Sequence, residues 1–268
     1  MKERLDVYLH KNGFCESRER AQNRIKAGEV SVNGTPVTKC GTQVCEEDTV
    51  TLTGEGMRYV SRAGDKLAAV LSKFSVDLNG LTCIDAGAST GGFTDCMLQS
   101  GAAKVFAIDV GTDQLHPSLR SNPKVVSMEQ TDIRDVTSEE LGGEADFLAA
   151  DVSFVSLTKV LPSMVSLVRT GGRLACLIKP QFEAGLEWIG KNGIVKDRKV
   201  HKNVIKNVLA FATGLGLRID GVTRSPIRGG SGNIEYLFLG TKTGEEVPGY
   251  SGADAERIVD EAFLYYRK

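Results

Sequence analysis

The 268 residues carry 33 Lys and Arg against 34 Asp and Glu, a net charge of −1, with 41% apolar and 25% charged side chains. That balance excludes a disordered chain, and no apolar run reaches the roughly 18 residues of a membrane-spanning helix. The charged start MKERLDVYLHKNG lacks the apolar centre of a signal peptide, so the chain reads as cytoplasmic, and six scattered cysteines with three dispersed histidines supply neither a zinc site nor a disulfide framework.

The predicted elements begin with two short helices. Leu5, Tyr8 and Leu9 share one face, and Ser17 reads as the N-cap of a helix over 18–27 with Ala21 and Ile25 inward. Gly28 stands at the helix exit, residues 29–34 alternate as a strand into an Asn33-Gly34 turn, and strand-like pieces follow at 36–38 and 49–52. This makes a small α+β module over 1–56. Residues 1–40 hold eight basic side chains against five acids, and helix 18–27 presents Arg18, Arg20, Arg24 and Lys26. Alone, such a run is an ordinary solvated face. However, RLDVYL, SRERAQNRIKAGEVSVNG and VTKCGTQV, in that order, resemble the αL-type RNA-binding domain shared by a small-subunit ribosomal protein and many pseudouridine synthases. The resemblance implies a grip on structured RNA through its phosphates, with Arg4, Ser17, Arg18, Arg20, Lys26 and Asn33 facing the RNA.

Glycine-flanked polar residues from Gly54 onward interrupt both periodicities, and residues 57–60 read as a linker to a second domain over 61–268. A helix starts near Ser61, with Leu67, Val70 and Leu71 apolar. Short apolar strands are predicted at 81–86, 104–109, 125–128, 147–152 and 174–178, separated by stretches of crossover length. That alternation predicts an α/β fold with a doubly wound, Rossmann-like parallel sheet. A long helix over 196–215 and strands at 217–225 and 235–242, joined by the glycine-rich GGSGN loop, predict an antiparallel edge.

The turn after the first strand is Asp85-Ala86-Gly87-Ala88-Ser89-Thr90-Gly91-Gly92-Phe93. It lacks the middle glycine of GxGxxG, which brings backbone against a pyrophosphate, and it lacks the lysine of a phosphate loop. The remaining ligand is S-adenosylmethionine, whose formal charges are its amino-acid head and its sulfonium. Asp85 would lie near the methionyl amine and sulfonium, while Gly87, Ala88 and Gly91 admit backbone approach, with Ser89 and Thr90 completing the cradle. Asp109, ending the second strand, would meet the ribose hydroxyls, and Asp132 after the third strand the adenine edge.

Asp151 follows strand four and Lys179 follows strand five, where open α/β sheets build their crevice. A lysine ending the apolar strand LACLIK needs a carboxylate partner, which Asp151 can supply. SRAGDKL at 61–67, DAGASTGGFTD at 85–95, DVSF at 151–154, KPQFE at 179–183 and GGSGNIEY at 229–236 occur in the order of FtsJ-like ribose 2′-O-methyltransferases. Joined to an RNA-binding N-terminus, they resemble the TlyA family of ribosomal RNA methyltransferases, historically also labelled haemolysins. Tyr59, in MRYV, stands where some members of that family have tryptophan.

The resemblance implies a Lys-Asp-Lys-Glu tetrad of Lys66, Asp151, Lys179 and Glu235. A ribose hydroxyl is a poor nucleophile and needs a base as it attacks the methyl, and a buried lysine beside a second cation surrenders its proton more readily than an exposed one. Lys179 is therefore assigned as the base, Lys66 as the group that positions the hydroxyl, and the two acids as their orienters. Phe154 and Ser231 flank two tetrad members, and Phe154 reads as a wall for the adenosine or the target base. Arg58, Arg62, Lys191, Lys196, Arg198, Lys199 and Lys202 would extend an RNA track. The implied reaction is metal-independent methylation of a cytidine ribose in ribosomal RNA. The start close to the RLDVYL helix, as in shorter members, points to 23S RNA, with 16S as the further candidate. Two competing functions, a membrane-lytic protein and an RNA-binding protein with an inactive methyltransferase domain, lack respectively an apolar span and any break in the tetrad.

Overall fold

The helical spacing of Leu5 with Leu9, and of Ala21 with Ile25, turns four fully buried side chains into one core in the smaller of two units, Met1–Gly56. The structure, a computed structural model, describes residues 2–15, 17–52 and 58–267, apart from the side chain of Lys191. In chain order the unit comprises β1 (Glu3–Arg4), α1 (Leu5–Lys11), α2 (Arg18–Lys26), β2 (Val30–Val32), β3 (Thr35–Pro36), β4 (Gln43–Val44) and β5 (Val50–Leu52). The Ser17 hydroxyl accepts from Arg20 N at 3.1 Å, capping α2. Gly28, at φ +75°, ends that helix. Val32 pairs with Thr35 across Asn33-Gly34, both in the left-handed region that a two-residue hairpin turn demands. Because this turn starts the return strand at once, the strand expected over 36–38 begins at Thr35. The β1–β4 pairing, Glu3 with Val44 and Arg4 with Gln43, was not foreseen, since two-residue strands are too short to show alternation.

The larger unit, Met57–Lys268, opens with α3 (Ala63–Lys73) and continues β6 (Thr82–Ala86), α4 (Gly92–Gln99), β7 (Lys104–Ile108), α5 (Pro117–Arg120), β8 (Val125–Met128) and α6 (Ser138–Leu141). It ends with β9 (Ala145–Ala150), α7 (Leu157–Ser166), β10 (Val168–Ile178), α8 (Pro180–Glu183), α9 (Arg198–Gly214), β11 (Leu217–Arg224), β12 (Tyr236–Lys242) and α10 (Ala253–Tyr265). The seven strands are ordered β11-β12-β10-β9-β6-β7-β8. The five strands from β6 to β10 are mutually parallel, and β12 runs antiparallel between β10 and β11. Successive β9 residues face opposite cores: Phe147 and Ala149 pack with α3 and α4, Leu148 and Ala150 with α7, α9 and α10. A strand buried on both faces reads as a continuous apolar run, which is why it was legible.

Some boundaries differ from expectation. β9 lies two residues earlier than 147–152, and β10 begins at Val168 rather than 174, with a register shift between Val168 and Arg173 that the Gly171-Gly172 pair accommodates. Of the linker expected over 57–60, Met57 lies outside the described residues, but Tyr59 is 3% exposed in the core of this unit and Val60 N donates to Asp95 Oδ2 at 2.8 Å. Gly64 makes room for that ring, because a Cβ there would stand 2.3 Å from Tyr59 Cγ. The alternation read from the sequence also stops short of α10, although its buried Ala255, Ile258, Val259 and Ala262 follow helical spacing.

Candidate active site

After β6 the chain builds outward through β7 and β8, then returns to β9 on the other side of β6. The reversal opens a crevice at the carboxyl ends of β6 and β9. Asp151 N donates to Ala86 O at 3.0 Å across it, and Gly87, at φ +82°, fits because a Cβ would come within 2.9 Å of Asp151 O. Two adjoining cavities of about 470 and 330 Å³ occupy the crevice, and Gly87, Ser89, Asp151, Ser153 and Phe154 line both.

The larger cavity holds Asp109 and Asp132. Asp109 is oriented by backbone N–H groups of Ser89 at 2.8 Å and Gly111 at 2.7 Å. Asp132 is bonded to Arg134, which holds its carboxyl below the usual range. The smaller cavity is lined by Asp85, Ala88 and Thr90 together with all four tetrad residues. Gly91, at φ +95°, leaves no room for a Cβ against Leu115 and Leu119. Asp85 is fully buried: Oδ2 accepts from Thr94 N and Oγ1, whereas Oδ1 meets no hydrogen-bond partner among the described residues. Burial pushes its carboxyl up to about 7, against the Thr94 bonds, with Asp151 and Asp109 adding to the rise.

Four elements bring the tetrad together. Lys66 comes from α3, Asp151 follows β9, Lys179 follows β10, and Glu235 precedes β12, whose antiparallel course puts its first residue, Tyr236, opposite Ile178. Lys66 Nζ lies 2.8 Å from Glu235 Oε2 and 3.5 Å from Asp151 Oδ2, and Lys179 Nζ lies 2.5 Å from Asp151 Oδ1. Asp151 thus stands between the two lysines, and each of the four mostly buried polar side chains has a partner of opposite type. Ser153 Oγ accepts from Lys179 Nζ at 2.7 Å, and Gln181 Nε2 donates to Glu235 Oε1 at 3.3 Å. Sequence reasoning missed Ser153 and Gln181, although both lie inside the DVSF and KPQFE motifs. Phe154 is 92% exposed, holds a left-handed φ of +62°, and its ring centroid lies 5.2 Å from that of Phe182.

In the smaller unit, Arg4 and Arg18 converge on Asp6. Its buried carboxylate takes Arg4 Nε at 2.9 Å, Arg18 Nε at 2.9 Å and Gln22 Nε2 at 2.7 Å, and the Arg4 bond leads in holding it well below the usual range. Both guanidiniums remain about half exposed. Arg20 is half-buried and Lys26 exposed. Ser17 is occupied in capping α2, and Asn33 ties the hairpin to Asp48 at 2.7 Å and Thr49 N at 2.8 Å. In the larger unit Arg58 and Arg62 are exposed, the Lys191 side chain lies outside the described residues, and two members of the expected track are already engaged: Arg198 with Asp260, Lys202 with Asp260 and Glu256. The sequence could not show this, because α10 supplies the acids.

Residues 59–242 match the family described as FtsJ-like methyltransferase, and residues 3–50 match the S4 domain. A Mycobacterium tuberculosis protein named 16S/23S rRNA (cytidine-2′-O)-methyltransferase TlyA is 42% identical, over 90% of this chain and 90% of its own. The chain belongs to the TlyA family of FtsJ-like methyltransferases. A Campylobacter jejuni relative, named 23S rRNA (cytidine-2′-O)-methyltransferase TlyA, is 37% identical over 67% of this chain and 70% of its own. A solved structure from Streptococcus thermophilus, provisionally described as a hemolysin, covers 99% of this chain and 97% of that one at 42% identity and a TM-score of 0.80.

As a TlyA-family methyltransferase the chain uses S-adenosylmethionine, and the residues present fit that cofactor. Asp85 belongs to the lining of the smaller cavity and its buried Oδ1 has no hydrogen-bond partner among the described residues, which suits an ammonium donor, and Gly87 and Gly91 let the turn pack closely on Asp151, Leu115 and Leu119. Among the described residues no helix is long and apolar enough to cross a membrane, and no group of three or more His, Cys, Asp or Glu side chains could hold a metal ion.

Proposed function

We propose that this enzyme methylates the ribose 2′-oxygen of a cytidine in ribosomal RNA, with 23S RNA as its first substrate and 16S as the further candidate. Two TlyA-named relatives support the choice, since both names specify cytidine 2′-O chemistry and 23S is common to them. The observation that carries the reading is Asp151 bridging Lys66 and Lys179 at the junction of the two cavities. The cytoplasm follows as the place of work, because that is where ribosomal RNA is.

Bound S-adenosylmethionine would supply an electrophilic methyl group on a sulfonium. Asp85 would hold its amino group, Gly87, Ala88, Ser89, Thr90 and Gly91 would line its methionine end, and Asp109 and Asp132 would meet the ribose and adenine. Phe154 would wall the adenosine or the target base. Lys179, acting as the neutral amine, would take the 2′-hydroxyl proton as the oxygen bonds the methyl and the methyl–sulfur bond breaks to leave S-adenosylhomocysteine, while Lys66 would orient the oxygen, Asp151 would align both lysines and Glu235 would anchor Lys66. Much of the acceleration is positional, since hydroxyl and methyl must be in line. Arg4, Arg18, Arg20 and Lys26, with Ser17 and Asn33 shaping their surface, would hold the RNA from the S4 unit, and Arg58 and Arg62 would contact it beside the crevice.

Lys179→Ala should abolish methyl transfer to unmodified 23S RNA while S-adenosylmethionine still binds. Full activity in that variant would sink the assignment. Mapping ribose methylation in cells with and without the enzyme identifies the nucleotide, and an unchanged map would count against ribosomal RNA altogether.

A further inference from the structure

The segment after Lys179 lines the smaller cavity as far as Phe182, and Gly193 is later tied to Asn233, in the stretch whose Gly230, Ser231 and Glu235 line that cavity. Glu183 fixes the departure, accepting from Ser156 Oγ at 2.6 Å and Leu157 N at 2.8 Å. Asn233, 1% exposed, fixes the return: its Nδ2 donates to Gly193 O at 2.8 Å and its Oδ1 accepts from Val195 N at 3.0 Å. Gly230, Ser231 and Glu235, on either side of Asn233 in sequence, line the same cavity. Ala184 and Ile189 pack against the core. Between these anchors one 3₁₀ turn, Leu186–Trp188, closes through Trp188 N to Gly185 O at 3.0 Å and leaves Leu186 86% and Trp188 49% exposed.

Two large apolar side chains held exposed by a pinned turn, four to six residues beyond the cavity-lining Phe182, call for an occupant. We propose that the Leu186–Trp188 turn is a stacking shelf for the RNA strand that carries the target ribose, with Trp188 under a neighbouring base and Leu186 packed against it. This rests on the ribosomal RNA reading of the site. A ribose delivered to Asp151 and Lys179 lies within a polymer, so its flanking nucleotides must meet the surfaces that border the cavity mouth. Aromatic rings accept any base by its π-face, and the exposed Lys196 and Lys199 just beyond Val195 suit the phosphates. A protein partner fits less well. It would need about 800 Å² of packed surface per side, whereas these two side chains are interrupted by the exposed Glu187 and bordered by lysines.

Trp188 is the only tryptophan of the chain, so its fluorescence reports on the shelf directly. With the full-length enzyme and deproteinised, unmodified 23S RNA, the emission should be quenched, reaching half its full change at the RNA concentration that half-saturates methylation. Trp188→Ala should raise KM for RNA about tenfold, with kcat within about twofold and S-adenosylmethionine affinity unchanged, and Trp188→Phe should recover most of the loss. Emission unaffected by RNA that is being methylated, or an unchanged KM in Trp188→Ala, overturns the shelf. Emission that follows protein concentration alone overturns it in favour of a second copy. Quenching without any methyl transfer leaves the shelf standing and overturns the ribose-methylation reading instead.

Discussion

Asp85 carries the sharpest pH signature of any single residue. Its carboxyl is raised from 3.8 to about 7, so the charged form that an ammonium needs is scarce below neutrality. Affinity for S-adenosylmethionine should therefore fall as pH drops below about 7, approaching tenfold per pH unit in the limit. Asp85→Asn should bind more weakly and lose that dependence, as calorimetry from about pH 5.5 to 8 would show. A pH-independent affinity in the wild type would refute the contact. The stability sign is opposite to that of a salt-bridged acid: with the folded value above the unfolded one, unliganded stability declines as pH rises from about 4 through 7. Single residues were unevenly legible in the sequence. Asp151 and Lys179 stood out because a charge ending an apolar strand is costly without a purpose. Lys66 and Glu235, from a helix and from the start of an antiparallel strand, carry no such signal and came only through resemblance. Asp6 was missed because its worth lies in three partners that only the folded helices bring to it.

Length alone did not decide which elements were legible: the 13-residue α10 was missed and β10 starts six residues before its expected position, whereas the short β2 and β5 fall within the stretches expected for them. β8 was expected over the residues it occupies, α9 was placed within two residues at each end, and the two-residue β1 and β4 were invisible. Glycines in turns show where the chain has no latitude. At Gly87 a side chain would be strained by the positive φ and would press on the backbone of Asp151, which is held by its bond to Ala86. Gly87→Ala should cost about 1–3 kcal/mol of folded-state stability, read as a lower thermal midpoint, and should weaken S-adenosylmethionine binding, measurable by calorimetry on the folded variant. Equal affinity in the variant would mean that the turn does not cradle the cofactor.

On the scale of the whole molecule, charge is distributed by segment, so the overall sum of −1 is misleading. Residues 169–206 carry nine basic side chains against three acids, but α10 answers part of that excess by pairing Glu256 and Asp260 with Arg198, Lys202 and Lys206. RNA binding should weaken steeply with added salt, and Asp260→Asn, which releases Arg198 and leaves Lys202 with Glu256 alone, should steepen that dependence and tighten binding at low salt. An identical slope in wild type and variant would remove this face from the RNA track. The pairing of α9 with α10 was not legible in the sequence, because it joins residues 50 or more positions apart.

The Lys66–Glu235 contact joins residues 169 positions apart and depends on β12 entering between β10 and β11. During synthesis the S4 unit emerges first, then the cofactor cradle, then Asp151 and Lys179, and Glu235 last of the four. A growing chain therefore acquires the residues for holding RNA well before those for modifying it, and a message broken anywhere upstream of residue 235 yields a product whose tetrad can never close.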